Sequence, residues 1–103
     1  MNRIKILENC EFGAIRTLND ETGEMLFCAK DIALALGYRD TNQAIHRHVN
    51  AKDLFILGSR DTLGRRNYII YINEAGFRSF MRASKSESAK RFKKWASTII
   101  LLN

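Results

Sequence analysis

Residues 29–49 read AKDIALALGYRDTNQAIHRHV, and the spacing of their apolar side chains predicts two short helices. In the first half, the apolar residues share one helical face, and Gly37 ends the helix. The second half begins at a cap, Asp40 or Thr41. Its apolar residues are few: Ala44, Ile45 and Val49. The second helix can therefore pack its inner side on the first helix.

The outer side of the second helix carries polar side chains with hydrogen-bond donors and acceptors, namely Asn42, Gln43, His46 and Arg47. This division is typical of a helix-turn-helix, in which the second helix lies in the major groove of DNA and its polar residues contact base edges. Two short helices joined by a glycine turn also occur in many small domains that bind no nucleic acid. The pattern alone leaves both interpretations open.

A β-hairpin is predicted before this stretch. Residues 4–7 and 12–18 alternate apolar and polar side chains, as a half-buried strand does. Residues 19–23 concentrate turn formers and include a glycine, and residues 24–28 resume the apolar run. We expect this hairpin to build core beneath the helices.

A second β-hairpin is predicted after the two helices. Residues 54–57 form a short apolar run, and residues 68–72, YIIYI, are wholly β-branched and aromatic. The loop between them contains Arg60, Arg65 and Arg66. Such a hairpin could reach along the DNA backbone beside the groove, as in a winged module, although an exposed loop can also be basic by chance.

Two helices are predicted at the end of the chain. Asn73 and Glu74 suit the start of the first, because asparagine accepts a bond from a free amide and glutamate favours the positive helix end. Ser84 and Glu87 match a capping box at the start of the second. The apolar tail, residues 99–102, would be left partly in water: either a partner or a continuation of the chain covers it, or the end frays.

The composition indicates one globular domain. The 103 residues are 46% apolar and include no proline. Cys10 and Cys28 are too few for a disulfide framework and suit a reducing compartment. No apolar run approaches the ~20 residues of a membrane span, and the pattern of a secretory signal is missing. We therefore expect a soluble intracellular protein without a membrane partner.

The positive charge is unevenly distributed along the chain. The formal net charge is +6; residues 1–29 carry three basic and five acidic side chains, whereas residues 30–103 carry fourteen basic and six acidic ones. The basic part therefore contains the two central helices. This distribution suits a polyanionic partner, because neutralised phosphates release counterions. A generic solubility charge is the alternative.

Metal binding and catalysis find little support in the sequence. Cys10, Cys28, His46 and His48 are competent zinc ligands, but the cysteines form no close pair and the two histidines point away from each other on a helix. The aspartates lie on different predicted elements, and no phosphate loop or serine elbow is present. We expect no metal, no cofactor and no enzymatic activity.

Three segments in order resemble the Bro-N domain, the N-terminal domain of the BRO family of baculovirus proteins and of many phage and prophage antirepressors. Residues 25–49 contain MLFCAKDIALALGY followed by AIHRHV, residues 72–77 read INEAGF, and residues 84–95 contain SK and then AKRFKKW. The chain departs from the family in lacking the proline after the Gly-Tyr turn and the Leu-Pro near the end of the last helix.

The resemblance implies a DNA-binding module of a viral or prophage regulator of gene expression, in the cytoplasm of a bacterial host if a prophage encodes it. Residues 1–103 would form a single Bro-N-like domain taken from a longer protein with a C-terminal domain. The expected fold is α+β, with an N-terminal β-hairpin, a helix-turn-helix or winged-helix-like centre that includes the second β-hairpin, and two C-terminal helices. Whether the chain forms a homodimer is left open.

Double-stranded DNA is the expected partner, and the sequence assigns candidate contacts to it. The candidates for base edges are Asn42, Gln43, His46 and Arg47, because amides suit adenine and arginine suits guanine. The candidates for phosphates are Arg39, Lys52, Arg60, Arg65 and Arg66, with Lys90, Lys93 and Lys94 as weaker ones.

Two other functions remain open at this stage. The domain could hold a repressor protein without contacting DNA, because fold and charge do not separate the two functions. An RNA-binding or nucleolytic protein has less support.

Overall fold

Strands and helices account for most of the computed structural model, which describes the backbone of residues 3–60 and 62–100 and the side chains of residues 5–58 and 62–98. The strands are β1 (Arg3–Asn9), β2 (Gly13–Asn19), β3 (Met25–Cys28), β4 (Leu54–Arg60) and β5 (Arg66–Ile72). The helices are α1 (Ala29–Ala35), α2 (Thr41–His48), α3 (Glu74–Ala83) and α4 (Glu87–Ile100). A short 3-10 helix, Ala51–Asp53, precedes β4. The α+β class and the two C-terminal helices are confirmed.

The opening segment forms two strands, whereas its alternation had indicated one. The side-chain oxygen of Asn9 accepts hydrogen bonds from the amides of Glu11 and Phe12 at 2.7 and 3.2 Å. The chain reverses there, and Gly13 adopts a φ of 76° that glycine accommodates without strain. β1 and β2 then pair antiparallel over their full lengths. The predicted N-terminal hairpin is β2–β3, and β1 extends it to three strands.

The two predicted hairpins join into one antiparallel sheet with the order β1-β2-β3-β5-β4. The junction is short, because β3 pairs with β5 only at Phe27↔Ile72 and Cys28↔Tyr71. Beyond that junction β3 ends and the chain enters α1. The α1–α2 pair therefore follows directly from the central strand of the sheet.

The main core lies between the helices and one face of the sheet. The rings of Phe27 and Phe77 are 4.7 Å apart, which places α3 against β3. Phe92 brings α4 into the same cluster. The largest completely buried apolar side chains in the described part are Phe27, Phe80, Phe92, Ile15, Ile32 and Ile72. At ~25 cal/mol per Å² of apolar surface, the burial of such large side chains helps to hold the helices on the sheet.

Side-chain caps define where three of the helices begin. Asp40 caps α2 by accepting a bond from the Gln43 amide at 3.0 Å, and Asn73 caps α3 through the Gly76 amide at 2.8 Å. The predicted capping box at Ser84 is wrong. Ser84 is buried and donates to the Phe80 carbonyl at 2.9 Å, and Ser86 caps α4 through the Ala89 amide. Of the apolar tail, residues 101 and 102 and the side chains of residues 99 and 100 lie outside the described part.

Candidate nucleic-acid interface

α1 is fastened to β2 by an ion pair with several hydrogen bonds. The guanidinium of Arg16 donates to both carboxylate oxygens of Asp31, at 2.9 and 3.1 Å, and the Arg16 backbone amide donates to the same carboxylate. Partial burial opposes ionisation of Asp31, but these bonds outweigh it and hold the pKa of Asp31 below its ordinary value. The same bond with Asp31 raises the pKa of Arg16. Asp31 is therefore a fixed anion that orients the start of α1.

The turn between α1 and α2 is a Schellman motif. The amide of Tyr38 donates to the Ala33 carbonyl and the amide of Gly37 donates to the Leu34 carbonyl, each at 3.0 Å. Gly37 has a φ of 94°, so a side chain at this position would be strained. The motif satisfies the last carbonyls of α1 and directs the chain into α2, which begins two residues after Arg39.

α2 is held in place by its inner side and by its C-terminal end. Ala44 and Ile45 are buried on the inner side. At the C-terminal end, the rings of His48, Tyr38 and Phe80 form a cluster, in which the His48 centroid is 5.8 Å from that of Tyr38 and 6.1 Å from that of Phe80. The hydroxyl of Tyr38 also shares a hydrogen bond with that of Ser84. These contacts fix α2 against α3, so its outer side is presented in one orientation.

The outer side of α2 is free of the rest of the domain. Asn42, Gln43, His46 and Arg47 are all exposed. Within residues 3–60 and 62–100, their side chains make no hydrogen bond, ion pair or ring contact. Four polar side chains on one helical face therefore keep their full hydrogen-bonding capacity for a partner.

A cleft of about 410 Å³ separates the N-terminal part of α2 from β5. Thr41, Asn42 and Ile45 line one wall, and residues 68–70 of β5 line the other. Lys30, from the first turn of α1, lies at the same cleft and is exposed. The second helix and the second hairpin thus form adjoining parts of one surface.

Lys30 and Tyr68 are surface residues of this cleft that sequence reasoning did not single out. The exposed fraction of Tyr68 is 65%, which is unusual for a tyrosine in a strand. Both residues lie at the same cleft as Asn42 because α1 packs against both α2 and β5. The sequence offered a weak signal for Lys30, because it stands in the Ala-Lys-Asp start of α1.

The structure describes most of the predicted phosphate-contacting residues of the central region as exposed. Arg39 lies in the turn before α2, Lys52 in the 3-10 helix, and Arg65 and Arg66 where the hairpin loop leads into β5. The side chain of Arg60 is outside the described residues, although its backbone pairs with Arg66.

The three lysines of α4 are in different situations. The ammonium of Lys93 donates to the Ser84 carbonyl at 2.9 Å, so this side chain helps to close the connection between α3 and α4. Lys90 pairs with Glu87 at 3.4 Å on the exposed side of the helix. Lys94 is exposed. None of the three lines the cleft beside α2.

The base of the second hairpin is tied to both α2 and α3. The buried Asp53 accepts a bond from the side-chain amide of Asn73 at 3.2 Å, and its backbone amide donates to the Asn50 carbonyl at 2.9 Å. Gly76 lies directly above this point: a Cβ atom there would be 3.1 Å from both Val49 and Asp53. The packing of α3 therefore fixes the hairpin relative to the end of α2.

Metal ligands are not gathered in the described part of the chain, where no group of three or more such side chains was found. Cys10 is exposed, and burial raises the pKa of the Cys28 thiol, which keeps that thiol protonated. Across the same residues, no helix has the length and apolar character required to cross a membrane.

Two viral proteins show sequence similarity to the chain. The Bro-N domain-containing protein 289L of Invertebrate iridescent virus 6 is 27% identical over 92 residues, which cover 73% of this chain and 22% of the relative. Protein 201R of the same virus is 29% identical over 85 residues, covering 64% of this chain and 20% of the relative. The chain thus spans about a fifth of the length of these relatives.

No solved structure matches the chain significantly. The model of the BRO family N-terminal domain, Bro-N, matches residues 14–102. This range includes all three segments on which the resemblance rested, and the resemblance is confirmed. The chain belongs to the BRO family through this N-terminal domain.

Proposed function

We propose that this chain is the DNA-binding domain of a viral or prophage regulator of the antirepressor type, acting without catalysis in the cytoplasm of the host. In this proposal α1 and α2 form a helix-turn-helix, α2 is the recognition helix, and the β4–β5 hairpin is a wing. The similarity to proteins of a virus supports the viral origin. The chain covers only part of those relatives, so the activity of the whole protein is also a proposal.

The observation that carries the proposal is the free outer side of α2. Four polar side chains are exposed there without partners in the described part of the chain, and one of them, Asn42, lines the cleft whose other wall is β5. Their amide and guanidinium groups are exposed to solvent and bonded to no other group of the described part, so a partner can contact them. The major groove of DNA admits an α-helix and offers donors and acceptors on each base pair.

The charges around α2 favour a polyanion. Six cationic side chains occur in residues 29–58 and 62–72: Lys30, Arg39, Arg47, Lys52, Arg65 and Arg66. The acidic side chains of the same residues are used internally. Asp31 is bound to Arg16, Asp40 caps α2, and Asp53 is buried and bonded to Asn73. This stretch of the chain therefore carries an excess of cationic side chains, of which Lys30 lines the cleft beside α2.

The side chains fall into two roles. Asn42 and Gln43 would contact adenine and Arg47 guanine, since these are the pairings that the geometry of base edges favours, with His46 beside them. Arg39, Lys52, Arg60, Arg65 and Arg66 would hold phosphates and set the register, as would Lys30 at the cleft. The lysines at positions 90, 93 and 94 are the weaker candidates, because Lys93 is already bonded within the domain.

Binding to a random-sequence duplex over a salt series tests this function. Each neutralised phosphate contributes a slope of about −0.9 in log K against log salt, so about five contacts predict a slope of roughly −4 to −5. The Arg66→Ala variant should flatten the slope by about 1 unit and weaken all sequences alike. The Lys5→Ala variant removes the same charge from β1, at the opposite edge of the sheet, and should change the slope little.

The Arg47→Ala variant tests whether α2 reads the DNA sequence. On a duplex selected for tight binding, it should weaken the binding free energy by about 1–3 kcal/mol and reduce the preference for that sequence. Absence of any binding to duplex DNA at low salt would contradict the proposal and would favour a domain that holds a repressor protein. Stronger binding to a single strand, or cleavage after addition of magnesium, would point to an RNA-binding or nucleolytic protein.

A further inference from the structure

The sheet has two edge strands, and they differ in how they are protected. In the described part of the chain, β1 pairs only with β2 and β4 pairs only with β5. Each edge strand therefore has a row of outward backbone donors and acceptors that could pair with another strand. Natural edges are usually protected by charged side chains, proline, bulges or a covering element.

β1 carries this protection. Lys5 and Glu8 are exposed on it, and their charges oppose the approach of another strand. Its exposed apolar side chain, Ile6, stands between them with an exposed fraction of 52%. The charges make β1 a poor surface for pairing.

β4 lacks the same protection. Its sequence is LFILGSR, so its first six residues contain no charge and no proline. The exposed fractions are 66% for Ile56 and 36% for Phe55. The register from Leu54↔Ile72 to Arg60↔Arg66 runs without a bulge, which leaves a straight edge of seven residues. An apolar and regular edge of this length is a surface for strand addition.

We propose that β4 pairs antiparallel with β4 of a second copy of this chain, so that the two sheets become one. Two identical strands that pair in this way are related by a two-fold axis, and the contact closes at two copies. Pairing of β4 with β1 of another copy would instead be head-to-tail and open-ended. The uncharged part of β4 also lets two chains of net charge +6 approach without like charges in contact.

The two-fold axis of such a pair is perpendicular to the sheet, because only that orientation relates neighbouring antiparallel strands. Both copies then keep their helices on the same side of the joined sheet. Both α2 helices consequently belong to one side of the dimer. This arrangement goes beyond the proposed function, because it predicts a two-fold symmetric partner such as a palindromic DNA site.

Sedimentation equilibrium in the absence of DNA tests the dimer. The Cys10→Ser variant is the background, since Cys10 is exposed and could form an adventitious disulfide. The expected mass is twice the 11.9 kDa of the chain. Ile56→Lys should lower the mass to that of one chain, and Ile6→Lys, the matched change on β1, should leave the dimer intact. Circular dichroism checks that both variants fold.

Hydrogen exchange on the unmutated chain provides a second measurement that does not depend on a variant. In a monomer, only alternate amides of an edge strand are bonded to the neighbouring strand. In the proposed dimer, consecutive amides of β4 should be protected, while β1 keeps alternate protection. A mass of one chain throughout the micromolar range, an open-ended series of larger masses, or alternate protection in β4 would overturn the proposal. None of these results depends on whether the domain binds DNA.

Discussion

Replacing Gly76 with alanine tests how closely α3 is packed over the end of α2 and the base of the β4–β5 hairpin. A Cβ atom at position 76 would lie 3.1 Å from the Asp53 Cβ, 3.1 Å from the Val49 Cγ1 and 3.2 Å from the Ile72 Cβ. Ordinary contact begins at about 3.4 Å, so each neighbour would have to move by a few tenths of an ångström. The Cβ atoms of Asp53 and Ile72 cannot move without their backbone.

Two opposing effects determine the change in the free energy of unfolding. An additional methyl group in a well-packed core costs about 1–3 kcal/mol. Alanine in place of glycine within a helix returns about 0.8–1.0 kcal/mol. The net expectation is a destabilisation of roughly 1 kcal/mol, which for a domain of this size lowers the melting temperature by about 4–8 °C.

Thermal unfolding followed by circular dichroism measures this change. Gly58→Ala is the matched control, because the nearest atom to its new Cβ is a Tyr68 ring carbon at 3.6 Å, an ordinary contact. We expect Gly58→Ala to leave the melting temperature unchanged or slightly higher. A melting temperature that rises for Gly76→Ala as well would refute the close packing of α3 over Asp53 and Val49.

Three further substitutions test individual hydrogen bonds through the free energy of unfolding. Asp31→Asn should destabilise by about 1–3 kcal/mol, because Arg16 loses a charged partner. The pKa of Asp31 is lowered in the folded protein, so this stabilisation should be complete above the ordinary pKa of 3.8 and should disappear as the pH falls through the pKa of the folded protein. A stability difference between the variant and the original chain that stays the same in acid would contradict this. Asn73→Ala should lower the free energy of unfolding by about 1–2 kcal/mol, because it removes the α3 cap and a bond to Asp53. An unchanged free energy of unfolding would argue against that cap. Ser86→Ala should cost about 1 kcal/mol in a urea titration, and no loss would mean that α4 begins without this serine.

Local patterns in the sequence predicted the central region well. The polar outer side and the apolar inner side of α2 follow from a period of 3.6 residues, and the structure has Asn42, Gln43, His46 and Arg47 exposed. The caps at Asp40 and Asn73 depend on short-range bonds that the sequence makes recognisable. In this region the deciding contacts lie within a few residues, and local rules were sufficient.

Contacts between distant residues were harder to predict. The sequence shows two serines near the start of α4, and either could cap the helix. The hydroxyl of Ser84 is bonded to Tyr38 and Phe80, so Ser86 is the serine that caps α4. The pairing of β3 with β5 and the position of Lys30 at the cleft also depend on tertiary contacts. Such contacts join residues at no fixed spacing along the sequence, so no sequence pattern predicts them.

The division of the opening segment was missed for another reason. Apolar and polar residues alternate on both sides of Asn9, so the period continues across the turn and conceals it. The signals for a turn were present, since asparagine readily accepts bonds from the two following amides and Gly13 permits a positive φ. A prediction that gave turn formers more weight than periodicity would have separated β1 from β2.

A titration of the isotope-labelled chain with a random-sequence duplex, followed residue by residue in proton–nitrogen NMR spectra, tests the central claim most directly. The account predicts that the largest shifts at low salt occur in residues 41–48 of α2, in residues 62–70 of the hairpin and at Lys30, and that they shrink as salt is added. Shifts concentrated in α3 and α4, or an unchanged spectrum of α2 at saturating duplex, would contradict it.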